Sequence, residues 1–160
     1  KFINQVVLID YTIIILGGVN LKFKKEIVKK VIDYIENNLE QEIDLDKIAQ
    51  TIGYSKFHLN RMFTEETNIT IYKYVQIRRL TVAAEKLVKT NTPIVEIAYD
   101  AGYHSQQAFS LAFKQIYLYP PKIYRDRGIF VPKQQKISMS GLVYSKKIYL
   151  FAKRMERRAA

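Results

Sequence analysis

The chain has 160 residues, of which 48% are hydrophobic and 26% charged, enough apolar content for one sizeable core and too much for a disordered chain. It contains no cysteine, which excludes disulfide frameworks, thiol nucleophiles and the common zinc fingers and suits a reducing compartment. The formal net charge of +11 points to a polyanionic partner, but it is unevenly spread: residues 22–127 carry 17 basic and 13 acidic side chains, residues 128–160 carry 8 basic and one acidic.

Taken in order, residues 1–21 are apolar but interrupted by Asp10 and broken by Gly17-Gly18. A bilayer span needs about 20 apolar residues, and no small-residue cleavage pattern is visible. The β-branched content reads as one or two strands, or as the end of some preceding unit; a secretory signal is not expected, and a membrane anchor is the minority alternative. From Lys24 to Leu39, Ile27, Val31, Ile32, Ile35 and Leu39 recur at helical spacing, and Asn37-Asn38 ends that amphipathic helix.

The stretch Asp44 to Phe63, DLDKIAQTIGYSKFHLNRMF, predicts a helix, a tight turn and a second helix. Asp44 can cap the first helix. Ala49 is small enough for two helices to cross closely, and Gly53 can take the positive φ of the turn. Ile48, Ile52, Leu59 and Met62 point into one core. Ser55 caps the second helix, which begins at Lys56 and ends at Thr67-Asn68, Asn tolerating the left-handed conformation. Its outward face holds Phe57, Asn60, Arg61 and Thr64, with Lys56 beside them. Arg pairs bidentately with guanine, Asn with adenine, and apolar groups touch thymine's methyl. The plain alternative is an ordinary surface helix of a small helical domain.

Thr70 to Lys89 then reads as one long helix with Tyr74, Ile77, Leu80, Ala84, Leu87 and Val88 on a buried stripe, a rod of roughly 30 Å at about 1.5 Å per residue. Adjacent major-groove segments on one side of B-DNA lie about 34 Å apart. Asn91 breaks this helix, and Thr92-Pro93 supplies an N-cap followed by Pro at the first helical position. Ile94 to Phe113 repeats the earlier plan: Ala98, Gly102 and Tyr103 each stand 49 residues after Ala49, Gly53 and Tyr54. Beyond the glycine, Ser105, Phe109 and Phe113 stand 50 residues after Ser55, Leu59 and Phe63, so the second turn is one residue longer. The outward face of this second unit holds Gln106, Gln107, Ser110, Leu111 and Lys114. Glutamine can read adenine and Lys114 can hold a phosphate, but Leu111 occupies the place of Arg61. The first unit is therefore expected to specify strongly and the second weakly.

Pro120-Pro121 opens a short last helix carrying Tyr124-Arg125 as a closing piece of core. Beyond it, strand-like runs at Lys136 to Tyr144 and Lys147 to Phe151 belong to a basic tail too short to enclose a ligand pocket. His58 and His104 are the only imidazoles, and neither has a nucleophile or carboxylate pair placed around it, so no catalytic residue, metal site or cofactor is expected.

The motifs GYSKFHLNRMF at Gly53 to Phe63, RRL at Arg78 to Leu80, SQQAFSLAFK at Ser105 to Lys114 and PPKIYR at Pro120 to Arg125 together resemble the DNA-binding domain of the AraC/XylS family of transcription regulators, in particular its short MarA/SoxS/Rob type. The resemblance covers about Lys24 to Arg127. It implies an all-α, seven-helix domain of two helix-turn-helix units joined by a long central helix, binding as a monomer to an asymmetric site across two adjacent major grooves. It also implies activation through contact with RNA polymerase, at promoters that in this subgroup often govern multidrug or stress tolerance. Phe57 falls where the group often has Trp, Asn60 where it often has Gln, and Arg61 on its principal base-reading Arg. Gln76 and Leu111 depart from usual arginines of the central and second recognition helices, and Leu118 stands where many members have Gly or Asp.

The expected organisation is an apolar extension over 1–21, a DNA-binding domain over 22–127 (helix-turn-helix units at 44–67 and 92–117, linker helix at 70–90) and a basic extension over 128–160, the two ends having strand-like composition. The expected function is a cytoplasmic, sequence-specific regulator of double-stranded DNA, with no membrane partner. Its expected DNA contacts are Ser55, Lys56, Phe57, Asn60, Arg61, Thr64, Ser105, Gln106, Gln107, Ser110 and Lys114. The competing expectation is a non-specific nucleic-acid or membrane-surface binder driven by Lys146, Lys147, Lys153, Arg154, Arg157 and Arg158 of the tail.

Overall fold

A computed structural model describes residues 23–138; the strands expected within 1–21 and at 147–151, and most of the one expected at 136–144, lie outside the described residues, and 136–138 carry no strand. The first helix, α1, is described over 23–37, with Ile27, Val28, Val31, Ile32 and Ile35 wholly buried along one face. It ends at Asn37-Asn38 as expected, where the Asn38 side-chain amide donates to the Tyr34 carbonyl at 2.7 Å and closes the last turn. Six further helices follow: α2 (Leu45–Ile52), α3 (Lys56–Thr67), α4 (Ile71–Lys89), α5 (Ile94–Asp100), α6 (Gln106–Tyr117) and α7 (Pro121–Arg127).

The boundaries follow from side chains that satisfy orphaned backbone groups. Asp44 caps α2 by accepting from the Asp46 and Lys47 amides, and Ser55, Thr70 and Ser105 cap α3, α4 and α6 in the same way. Gly53 ends α2 at φ +79° and Asn68 ends α3 at φ +63°, the left-handed region each tolerates. One boundary departs from expectation. Pro93, not Thr92, is the residue before α5 and provides no side-chain cap; the Thr92 carbonyl instead accepts from Arg125 Nη2 at 2.6 Å.

The central helix α4 belongs to two cores. Its first turns contribute Ile71 and Tyr74 to a cluster with Ile32, Ile35, Ile48, Leu59, Met62 and Phe63. Its later turns contribute Leu80, Ala84 and Leu87 to a second cluster with Ile97, Phe109, Phe113, Tyr117 and Tyr124. Each fully buried Leu, Ile or Phe contributes about 1.5–3 kcal/mol, so each lobe has an apolar centre of its own. In the second lobe the rings form a ladder, Phe109 to Phe113 to Tyr117, with Tyr124 edge-on to the last two at 5.3 and 4.9 Å between centroids.

After α7 the chain turns at Gly128 and runs back over α4 without regular secondary structure. Phe130 packs on the second core and Ile137 on the first. Between them the Gln134 amide donates to Thr81 Oγ1 at 3.2 Å and its carbonyl accepts from Arg78 Nη1 at 2.7 Å. The beginning of the basic tail is therefore a strap across both lobes.

Candidate nucleic-acid interface

The outer face of α3 follows from which residues its core claims. Leu59, Met62, Phe63 and Glu66 are buried, leaving Lys56, Phe57 and Arg61 exposed and Asn60 and Thr64 half-buried. Phe57 is 79% exposed, so its ring is not spent on the core and is open to a partner. Arg61 lies 3.4 Å from His58 Nδ1 and 3.9 Å from Glu65 Oε1, and Tyr54 stacks on the His58 ring at 5.1 Å. Glu65 also holds Lys24 at 3.2 Å. These contacts are exposed and individually weak, so they present the guanidinium without locking it. Lys56 pairs with Asp46 at 3.1 Å and lies over the Phe57 ring.

Two of the expected contacts are partly committed inside the protein. Asn60 Oδ1 accepts from the Ile71 amide at 3.1 Å, so its acceptor holds the first N–H of α4. Thr64 Oγ1 donates back to the Asn60 carbonyl at 2.8 Å. Asn60 keeps its Nδ2 donors, but it is also the peg that seats the recognition helix on the central rod. Ser55 and Ser105 accept from the His58 and Ala108 amides at 3.3 and 3.1 Å, which leaves each hydroxyl hydrogen to donate outward.

On α6, Phe109, Phe113 and Tyr117 are buried. Gln106, Gln107, Leu111 and Lys114 are exposed and Ser110 is half-buried. Leu111 is 68% exposed, an apolar side chain where α3 has Arg61. Lys114 has no ion-pair partner among the described residues.

The basic residues of α4 are used differently from what their charge suggests. Arg78 makes a two-pronged pair with Glu36, Nε at 2.8 Å and Nη2 at 2.7 Å. Arg79 donates from Nε to the Leu39 carbonyl at 2.8 Å and from Nη2 to the Gln41 carbonyl at 2.5 Å. Both are internal struts, so neither adds to an anion-binding face. Sequence reasoning missed them because their partners lie some forty residues upstream; their adjacency in RRL gave no sign of it.

Two capped helices, each presenting a polar row from its own core and joined through one rod, define a double helix-turn-helix domain of the kind that binds DNA. The family model "Helix-turn-helix domain" matches residues 48–127. The chain is 40% identical to the multiple antibiotic resistance protein MarA of Escherichia coli over 98 residues, 61% of this chain and 77% of that protein. It is 40% identical to the regulatory protein SoxS of the same organism over 103 residues, 64% of this chain and 96% of SoxS. Among solved structures, the C-terminal domain of AraT, a response regulator from Geobacillus stearothermophilus, superposes with a TM-score of 0.60 at 31% identity, covering 69% of this chain and 93% of that domain. The chain belongs to the AraC/XylS family and is a DNA-binding transcription regulator, not an enzyme. Among the described residues no helix is long and apolar enough to cross a membrane.

Proposed function

We propose that the protein is a sequence-specific transcriptional activator that acts in the cytoplasm and docks as a monomer across two adjacent major grooves, α3 reading bases and α6 aligning the protein on the backbone. Phe57, Arg61 and the free amide donors of Asn60 face the bases, Lys56 and Thr64 flank them, and Ser55 donates to a phosphate at the start of α3. On α6, Ser105, Gln106, Gln107 and Ser110 make weaker polar contacts and Lys114 holds a phosphate. RNA polymerase is the protein partner. The names of the relatives, one concerned with multiple antibiotic resistance, suggest stress-tolerance genes as targets.

The observation that carries this reading is the contrast between Arg61 and Leu111, both exposed at equivalent places of the two recognition helices. Only Arg61 can make a bidentate pair with guanine, giving roughly 1–3 kcal/mol of discrimination. Replacing Arg61 with Ala should abolish preference among related duplexes while leaving non-specific binding. Lys114→Ala should weaken all duplexes about equally and reduce the salt slope by about one. Equal behaviour of the two variants in a binding titration sinks the assignment of readout to α3. Because Arg78 and Arg79 are spent internally and Leu111 is neutral, the salt dependence should be shallower than the formal charge implies.

A further inference from the structure

The loop after α1 and the turn after α5 come together across α4, and two cations of α4 tie them. Arg79 uses Nε and Nη2 on the Leu39 and Gln41 carbonyls. Its remaining nitrogen, Nη1, lies so close to Gly102 that a Cβ there would sit 2.4 Å away. Seven residues on, and so on the same face of the helix, Lys86 Nζ bonds Glu40 at 2.7 Å and Asp100 at 2.9 Å. Glu40 belongs to the first lobe and Asp100 to the second. Leu39, Val82, Ala83, Ile97 and Ala101 line the crevice between them. Each cation thus touches both lobes at once.

A rod sets how far apart two units stand, but it does not set how each is rolled about the rod. The loops at 68–70 and 90–93 do not fix that angle, which is left to the packing of each core on α4 and, between the lobes, to lateral contacts. DNA is sensitive to it, since one base pair displaces the second half-site by about 3.4 Å and turns it by about 35°. We propose that Arg79 and Lys86 are positioning residues for two-groove docking: by tying the loop at 39–41 to the turn at 100–102 they fix the angle between α3 and α6 and thereby the half-site spacing the protein accepts. This rests on the reading that both units meet DNA.

The test uses the full chain and a series of duplexes in which the two half-sites, first recovered by selecting bound sequences from a random pool, are moved apart or together one base pair at a time. Two variants are compared with the unmodified protein: R79Q/K86Q, which removes both ties, and E40Q/D100N, which removes only the charges holding Lys86 and alters no core residue. The unmodified protein should lose about tenfold in affinity for a one-base-pair change. R79Q/K86Q should lose no more than about threefold, and E40Q/D100N should fall between. Base preference within the α3 half-site should stay the same in both, and helical content by circular dichroism establishes that each is folded. A merely structural role would lower affinity at every spacing alike. An unchanged spacing profile in folded R79Q/K86Q overturns the proposal, and one in E40Q/D100N overturns the part given to Lys86. If R79Q/K86Q does not fold, the E40Q/D100N profile decides. Absence of any spacing optimum in the unmodified protein overturns two-groove docking itself.

Discussion

Glu36 on α1 is where three parts of the molecule converge. Its carboxylate accepts from the Tyr74 hydroxyl at 2.7 Å and from Arg78 at 2.8 and 2.7 Å, and Arg78 passes on to the strap through the Gln134 carbonyl. Burial alone would push the Glu36 carboxyl up, but hydrogen bonds from Arg78 and then Tyr74 outweigh it and hold its pKa below the usual carboxylate value. A depressed carboxylate contributes stability that is present above the ordinary value of 4.5 and lost as pH falls through the folded value. Burial, and next the bond to Glu36, raise the Tyr74 phenol, so its share is intact below the ordinary value of 10.0 and lost as pH climbs beyond it toward the folded one. Glu36→Gln leaves Arg78 charged and mostly buried, a loss of about 3 kcal/mol. Urea unfolding at pH 7 should show that loss, and the acid limb of the stability curve should flatten. A change under about 1 kcal/mol would mean that water replaces the carboxylate at no great cost. Asn60 can be separated into its two roles in the same assay. Asn60→Asp keeps the acceptor for the Ile71 amide and should preserve stability, whereas Asn60→Ala should cost about 1 kcal/mol; equal stability of the two would remove the peg.

At the level of elements, the end of α6 carries a local strain. Leu118 stands at φ +68°, its amide donating to the Lys114 carbonyl, and its side chain is 73% exposed. A leucine in the left-handed region costs roughly 1–2 kcal/mol, and no packing offsets it here. Leu118→Gly should therefore raise stability by about 1 kcal/mol, read as a higher urea midpoint at unchanged slope; a decrease would mean that the exposed leucine has packing value in the folded chain. This turn also shows what the sequence made legible. Caps, glycine turns and the repeated helix-turn-helix plan are local, so Asp44, Gly53, Ser55, Asn68, Gly102 and Ser105 could be read from neighbours within a few positions. The outward rows of α3 and α6 followed from the apolar residues between them. Thr92 misled because a Thr-Pro pair suits a cap and its partner, while the first bonds of α5 run to the Pro93 carbonyl, the Thr92 hydroxyl accepts from Thr90 and the Thr92 carbonyl accepts from Arg125, thirty-three residues away. Arg78, Arg79 and the Asn60 amide were illegible for the same reason: their partners are backbone groups or carboxylates brought near only by the finished fold.

For the whole molecule the open question is how two cores on one rod unfold. A helix shared end to end allows either lobe to loosen while the other persists, since each cluster has its own buried set. The strap opposes that. Phe130 is anchored on the second core and Ile137 on the first, the Ile137 amide donates to the Tyr74 hydroxyl at 3.3 Å, and Lys136 pairs with Asp33 at 2.8 Å. Because the Tyr74 hydroxyl and Arg78 both bind Glu36, loosening the strap also weakens the attachment of α1. The intact chain should therefore unfold in one transition, with calorimetric and van't Hoff enthalpies equal. Phe130→Ala with Ile137→Ala removes both anchors but no residue of either buried cluster. The calorimetric enthalpy should then exceed the van't Hoff value, and amides of one lobe should exchange before those of the other. If the doubly substituted chain still melts as a single unit, the coupling resides in α4 and in the ties that Arg79 and Lys86 make between the lobes, and the segment after Gly128 merely lies along a domain that would cohere without it.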